Sequence, residues 1–387
     1  MTLPGGLRIA VVHEWLFDYA GSERVLEQML ALYPEADLFA LAALPDEELM
    51  RAIPKRPTAT TFLQSLPNVR RWLPYYVPLM PLAIEGLDLS GYDIVISNSH
   101  AAAKGVITGP DQLHVGHVCS PMRYAWDLQH QYLREAGLDR GLRGWAARWA
   151  LHRIRQWDVR AANGVDAFVA ISHFIARRIR KCYRRDAEVV YPPVDVSQFA
   201  LKERKDDFYL TVSRLQPYKR VDLLVDAFAQ MPERRLVVIG DGPEMKKLRS
   251  KAPPNVELAG YRPTAEVRER MRRARAFLFA GLEDFGIVMV EAQACGTPVI
   301  AYGRGGAAEI VRGEDAAQPT GAFIQDQTPE AVKEAILSFE KRPQSDPAAC
   351  RENALRFDVA VFRERFAAFV SRRWEEFEQE RARGTAR

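Results

Sequence analysis

Short apolar runs of strand length alternate with longer stretches of helical periodicity along most of the chain. Leu7–Val12 reads as a buried parallel strand, a glycine-containing turn at Tyr19–Ser22 follows it, and Glu23–Leu32 carries a helical pattern. Tyr92–Ser97, Leu113–Val118 and Ala167–Ile171 read as further strands, spaced widely enough for crossover helices, so the first half predicts a parallel sheet. Residues 64–84 place Pro67, Pro74, Pro78 and Pro81 among aromatic and aliphatic side chains, which argues against one regular helix and for an insertion near a cleft. Residues 140–160 set Trp145, Trp149 and Trp157 among arginines at helix-like spacing.

At residues 189–198 the sequence VVYPPVDVSQ ends a strand in a Pro-Pro turn, and the charged stretch LKERKDD follows. The strand–helix pattern then restarts. Strands are expected at 208–212, Arg235–Ile239, Val256–Leu258, Ala276–Phe279 and Pro298–Ala301, with helices opening near Val221 and Gly286. Phe362, Phe366, Phe369, Val370, Trp374 and Phe377, with charges between them, make Val359–Glu380 one amphipathic helix. The expected organisation is an α/β chain of two Rossmann-like doubly wound domains: 1–195, then 196–357, with 358–387 a helix returning to the first domain.

A chain of 387 residues fits this two-domain reading, because single cores grow to roughly 100–200 residues. The formal net charge of +4 is too small for a dedicated nucleic-acid binder. Its distribution is uneven: residues 140–185 hold twelve Lys/Arg against Asp158 and Asp166, about ten positive charges in excess. Cys119, Cys182, Cys295 and Cys350 form no CxxC pair, so neither a zinc site nor a disulfide framework is expected, and a reducing cytoplasm suits them. Nowhere do 18 apolar residues run together, so any membrane contact is expected to be peripheral.

Three clusters in the second half carry chemistry. Ser213-Arg214-Leu215-Gln216-Pro217-Tyr218-Lys219-Arg220 follows its first strand, and ligands of open α/β sheets bind outside the carboxyl ends of strands. Arg214 and Lys219 there suit a diphosphate, the first as a forked donor and the second as a point charge, unless they are a solvated basic helix start. Gly240-Asp241-Gly242-Pro243-Glu244 is a turn whose glycines permit close backbone approach, or simply a quick strand-to-helix connection. Gly281–Glu291 places Glu283 in a loop and Glu291 about two turns further on. Between them the free N–H groups near Phe285, Gly286 and Ile287 form a helix N-terminus able to take an anion. Either glutamate singly is also an ordinary helix-start or helix residue.

In this order and spacing, SRLQPYK, GDGPE and the glutamate-x7-glutamate segment, followed by ACGTPVIAYGRGGAAEIV, resemble the C-terminal half of glycosyltransferase family 4, from Phe208 to about Gly321. The resemblance implies the GT-B fold, with two Rossmann-like domains facing a central cleft, and transfer with retention. It implies that Arg214 and Lys219 hold the donor diphosphate, that Glu283 contacts the donor sugar and Glu291 the ribose, and that Gly260 and Tyr261 lie near the base. Phe285, Gly286 and Ile287 would complete the cradle, and no metal or other cofactor is required. In the first half, Tyr19–Val25 resembles the family's GGAER turn, with Gly21 kept and Ala20 in place of its first glycine, so a tighter loop is expected.

Cys119-Ser120-Pro121-Met122-Arg123-Tyr124-Ala125-Trp126 is similar to a set of bacterial polysaccharide mannosyltransferases that read His-Ser/Thr-Pro-x-Arg-Tyr-x-Trp. This resemblance favours GDP-mannose as donor, with UDP-linked sugars as the alternative, and makes Arg123 and Tyr124 candidates for sugar or acceptor contacts. The family's histidine position holds Cys119; His117, two residues earlier on the same side of a strand, either takes over its contact or is a core histidine. The expected acceptor is a saccharide or a polyprenyl-diphosphate-linked saccharide. Segments 140–160 and 64–84 would rest on anionic headgroups at the inner face of the membrane, or the three tryptophans pack in the core. Two further readings stand beside the transferase: a sugar-nucleotide 2-epimerase, which lacks the glutamate pair in this arrangement, and a non-catalytic subunit, for which the loss of histidine at Cys119 speaks.

Overall fold

The structure, a computed structural model, describes residues 3–342 and 345–385. The chain forms two compact units: residues up to Pro192 together with those from Phe362 onward (unit 1), and Pro193–Val361 (unit 2).

Unit 1 is built on seven parallel strands: β1 (Ile9–Leu16), β2 (Asp37–Ala43), β3 (Ala59–Thr60), β4 (Ile94–Ser99), β5 (Leu113–Val118), β6 (Ala167–Ala170) and β7 (Glu188–Val189). They lie in the order β3-β2-β1-β4-β5-β6-β7. Both faces are covered, and the alternation of side chains along β1 shows it. Ala10 and Val12 join a core with Met80, Ile154 and Trp157, from the proline-rich segment and the helix Gly141–Asn163. Val11 joins the opposite core, with Val25 and Leu26 of the helix Gly21–Leu32 and with Phe362, Phe366 and Phe369 of the helix Val359–Thr385. The apolar run suggested a strand ending at Val12; β1 continues to Leu16 because His13 and Glu14, both fully buried, find polar partners inside the unit.

Unit 2 holds six parallel strands: β8 (Tyr209–Val212), β9 (Leu236–Ile239), β10 (Val256–Gly260), β11 (Ala276–Phe279), β12 (Val299–Tyr302) and β13 (Gly321–Ile324). Their order is β10-β9-β8-β11-β12-β13. The helix Val221–Ala229 buries Leu224, Val225 and Phe228 on this sheet, and the helix Ile287–Ala294 is buried from Met289 to Ala294.

The proline-rich segment is a series of short helical turns, Val69–Trp72, Leu73–Tyr75, Val77–Leu79 and Met80–Glu85, as its proline spacing requires. The three tryptophans of Gly141–Asn163 do not share one environment: Trp157 is in the core, with its N–H donated to Glu85 Oε1 at 2.7 Å, whereas Trp145 and Trp149 are exposed. Among the described residues no helix is long and apolar enough to cross a membrane.

Candidate functional site

In unit 2 the strand order reverses between β8 and β11, so the loops leaving these two strands diverge and leave a crevice at their carboxyl ends. From β8 comes the stretch Ser213–Gln216, then one 3₁₀ turn, Pro217–Lys219, with Arg220 in the left-handed region at φ 52° before the next helix. Arg214 is exposed, and its guanidinium makes no ion pair with another described residue. Lys219 lies only 16% exposed and pairs with Glu283, itself 12% exposed, from the loop after β11. Its ammonium also sits 5.2 Å from the ring centres of Tyr218 and Phe279, so it is held in place by a carboxylate and two ring faces.

The turn after β9 supports the Arg214 loop from behind. Leu215 N–H is donated to Asp241 O at 2.9 Å and Glu244 N–H to Leu215 O at 3.1 Å. A Cβ on Gly240 would lie 1.8 Å from Ser213 O, so only glycine permits this approach. Gly240 N–H in turn reaches Gly260 O at 2.9 Å, at the end of β10, where Tyr261 stands 72% exposed.

The loop after β11 is fixed through Glu283, whose carbonyl accepts Gly306 N–H at 2.8 Å, and through Phe285, buried against Phe357 with ring centres 5.5 Å apart. Gly286 caps the helix Ile287–Ala294 at φ 103°, ψ 62°, a conformation closed to side-chain-bearing residues without strain. A Cβ there would sit 3.4 Å from Glu283 Cγ, which places the Glu283 side chain at the helix N-terminus. The first N–H groups of that helix have no place in its ladder and face the same end. Glu291, 9% exposed, lies four residues into the helix, a rise of roughly 6 Å. Unit 2 thus brings Lys219, Glu283 and the Gly286 helix end into contact, with Arg214 on the adjoining loop and Tyr261 two strands away.

In unit 1 the order reverses between β1 and β4, and there the polar groups lie inside the sheet. Asn98 is the hub. Its Nδ2 donates to Ser22 O at 2.8 Å and reaches His13 Nδ1 at 3.3 Å, while Oδ1 accepts from His117 Nδ1 at 3.0 Å and from Cys119 Sγ at 3.4 Å. With the amide so turned, His13 presents Nε2–H to Glu23 Oε1 at 3.1 Å. Burial raises the Glu23 carboxyl, but the hydrogen bonds from His13 and Ser22 outweigh it and hold it below the usual range. Glu23 also accepts Ala20 N–H at 3.1 Å, so the turn before Gly21 is tied to the same network. Ala20 has φ −128°, extended backbone that any residue adopts, so the missing glycine imposes no special geometry.

His117 shares Asn98 with Cys119 but is fully buried, 6.5 and 6.1 Å from the rings of Phe362 and Phe366, and its Nε2 has no hydrogen-bond partner. Burial pushes it down to about 3, so it is neutral and faces core rather than solvent. Cys119 is half-buried; Arg123 and Tyr124 are half-buried in the loop beyond it, Tyr124 against Tyr132 at 6.4 Å. Trp126 in that loop donates to Asp158 Oδ2 at 2.7 Å, and Asp158 also pairs with Lys104 and accepts Tyr183 OH at 2.9 Å.

Sequence reasoning passed over His13, Glu14, Asn98 and Lys104, and gave no separate role to Glu23 of the Tyr19–Val25 turn or to Asp158. Glu14 is entirely buried and accepts the N–H groups of Ala101 at 2.7 Å and Ala102 at 2.9 Å and the hydroxyl of Ser99 at 3.0 Å. The signal was available: HE inside the apolar run of β1 and NS at the end of β4 are polar residues where a two-sided strand needs apolar ones.

Residues 195–357 match the family described as Glycosyl transferases group 1, and residues 21–198 match Glycosyltransferase Family 4. The two matches together run from residue 21 to residue 357, and the chain belongs to the family 4 glycosyltransferases of GT-B fold. It is 31% identical over 184 residues to an uncharacterized glycosyltransferase of Methanocaldococcus jannaschii, an alignment covering 46% of this chain and 51% of that protein. It is 30% identical over 206 residues to the GDP-mannose-dependent alpha-(1-6)-phosphatidylinositol monomannoside mannosyltransferase of Mycolicibacterium smegmatis, covering 43% of this chain and 51% of the relative. The chain spans at most about half the length of the curated relatives it matches. The crystal structure of Anabaena HepE in complex with UDP superposes with a TM-score of 0.67 over 94% of this chain and 100% of that one at 20% identity, a likeness of fold.

Proposed function

We propose that the chain is a retaining hexosyltransferase that moves mannose from GDP-mannose to a saccharide, or to a saccharide linked to polyprenyl diphosphate, in surface polysaccharide assembly. The observation that carries this reading is the pairing of Lys219 with Glu283 at the helix end Phe285–Ile287, with Arg214 on the adjoining loop, at one switch point of unit 2. Departure of a nucleoside diphosphate builds negative charge on its oxygens. The Lys219 ammonium, held by Glu283, together with the Arg214 guanidinium and the helix-end N–H groups would stabilise that charge most in the transition state, so a metal ion is not required. Glu283 would orient the sugar, Glu291 would meet the ribose, and Tyr261, exposed at the end of β10, would lie against the base. No side chain of this cluster is an evident covalent nucleophile, which favours front-face substitution with the leaving phosphate helping to deprotonate the acceptor hydroxyl.

The Pro121-x-Arg123-Tyr124-x-Trp126 segment and the GDP-mannose-dependent relative support mannose. The HepE complexes with UDP and with UDP-glucose make UDP-linked donors the competing outcome. Thermal shifts with GDP, UDP and ADP test this: GDP should stabilise most, since a ligand specific to the folded state must raise its melting point, and equal shifts overturn the choice. Product analysis without acceptor separates a transferase from a 2-epimerase, which would change the free nucleotide sugar. An inverted anomeric configuration in the product would refute retention. The reading places the protein in the cytoplasm, at the inner face of the cell membrane where a lipid-linked acceptor resides.

A further inference from the structure

We propose that His100, with Trp15 beside it, is the group of unit 1 that meets a sugar hydroxyl, in place of both His117 and Cys119. Register sets two rows of side chains across the central strands. His13 of β1 pairs with Asn98 of β4, and Asn98 pairs with His117 of β5. These three share a face, since Asn98 reaches both histidines, and all three are fully buried. Two residues further along each strand the same face carries Trp15, His100 and Cys119. Cys119 N–H is donated to Ser99 O at 2.8 Å, which carries the β4–β5 register on to His100. Trp15 meets the His100 ring edge-to-face at 4.7 Å. This outer row stands at the carboxyl edge of the sheet, where the strand order reverses, and each of its members is only half-buried.

The backbone of His100 is fixed while its ring stays available. Glu14 accepts the N–H groups of His100 at 3.0 Å, Ala101 at 2.7 Å, Ala102 at 2.9 Å and Ala103 at 3.1 Å. That turn cannot shift without stripping a buried carboxylate of its donors. The ring nitrogens of His100 make no hydrogen bond to a described residue, and neither is sealed from solvent as His117 Nε2 is. Burial holds the imidazole below its usual range against the Glu14 and Glu23 charges, with His13 and Arg123 adding to the lowering, so it is neutral at neutral pH. A neutral imidazole offers one donor and one acceptor, the pair a hydroxyl group uses.

The surrounding charge selects the ligand. Glu14 and Glu23 set two carboxylates behind the row against the Arg123 guanidinium, which disfavours a phosphate or carboxylate at His100. The Glu14 oxygens are occupied by N–H groups and have no place for a metal ion. An uncharged polyhydroxy group, packed against the Trp15 indole with a hydroxyl on His100, fits these conditions. His117 belongs to the closed inner row, and the Cys119 thiol is turned toward Asn98 at 3.4 Å.

The identity of the sugar rests on the transferase reading, so the test reads the two separately. The full chain is compared with His100→Phe, which keeps a ring beside Trp15 and removes both nitrogens. Melting curves, thermal shifts with GDP and UDP, and turnover of GDP-mannose and UDP-glucose are measured, with water or octyl α-mannoside as acceptor. Melting point and nucleotide shifts should match the wild type, because Arg214 and Lys219 belong to unit 2. Turnover should fall at least about tenfold, the size of one lost hydrogen bond. His100→Gln, which restores a donor and an acceptor, should recover part of the loss. A loss with both acceptors assigns the hydroxyl to the donor sugar; a loss confined to octyl α-mannoside, through its KM, assigns it to the acceptor. Wild-type turnover by His100→Phe, or a larger loss in Cys119→Ala, overturns the proposal. A wild type that binds neither nucleotide and turns over neither donor refutes the donor reading and this contact with it.

Discussion

Lys219 and Glu283 are expected to be energetically coupled, and in opposite senses for stability and for ligand binding. Both side chains are close to nine-tenths covered, so their pair lies nearer the buried than the surface limit. Breaking a buried pair by removing one partner costs about 3–5 kcal/mol, and the residual exposure here, with the further contacts Glu283 keeps, lowers that to about 2 kcal/mol for either Lys219→Ala or Glu283→Gln. The double variant strands nothing and should lose about 1 kcal/mol or less, a coupling of about 3 kcal/mol. For a domain of this size the single variants should each melt about 4–8 °C lower. Binding separates them. Lys219→Ala removes a cation from the diphosphate and should weaken nucleoside diphosphate binding at least tenfold, whereas Glu283→Gln releases Lys219 from its carboxylate and should leave that binding equal or tighter. Calorimetric titration of the wild type and three variants with GDP and UDP, beside their melting curves, reads both effects. Additive stability losses, or a Glu283→Gln variant that binds as poorly as Lys219→Ala, would refute the reasoning.

Stability should fall well above the carboxylate range as pH is lowered. Burial pushes His114 down to about 4 and His117 to about 3, so between the unfolded value near 6.5 and those values the unfolded chain binds two more protons, and each histidine contributes a loss of up to about 1.4 kcal/mol per pH unit. Glu14 and Glu23 are held below 4.5, Glu14 because the His100 charge and the Ala101–Ala103 N–H groups outweigh burial, so their share is present above 4.5 and is lost as pH falls through their folded values. Melting curves from pH 7.5 to 4.5 check this, and a flat profile between 7 and 5 would contradict it. Gly286→Ala forces a side chain into φ 103° and should cost about 1–3 kcal/mol while weakening nucleoside diphosphate binding, measured by melting and titration. Asn98→Ala leaves Ser22 O, His13 and His117 without their amide and should cost about 2–4 kcal/mol; the smaller loss expected of an exposed asparagine would show the hub to be dispensable.

The apolar runs gave most of the central strands to within about two residues, because a strand covered on both sides must be apolar throughout: Leu113–Val118 and Ala276–Phe279 have the same limits in sequence and structure. β3 and β7 are two residues long, too short for any periodicity to register, whereas β2 and β13 were passed over although β13 is as long as β11 and β2 longer. Polar residues misled at β1, where His13 and Glu14 looked like a strand end. The unit 2 cluster was legible because its residues stand consecutively in loops after strands, at Arg214–Lys219 and Glu283–Ile287. What the spacing did not hold was the pairing of Lys219 with Glu283, sixty-four positions apart, which only the adjacency of β8 and β11 creates. The Asn98 hub was illegible for the same reason: it joins β1, β4, β5 and the helix Gly21–Leu32 by single residues from each.

The dependence of unit 1 on Phe362, Phe366, Phe369, Val370 and Trp374 bears on how the protein is made. The part of one sheet face that the helix Gly21–Leu32 leaves open stays uncovered until those side chains leave the ribosome, after the whole of Pro193–Val361 has been translated. At 5–20 residues per second that is a wait of roughly 10–30 s. Unit 2 is continuous and can close during that time, so the second-synthesised half should be first to reach its final form. The earlier half meanwhile presents an apolar surface that a chaperone must shield, and a ribosome stalled before Phe362 would leave it open.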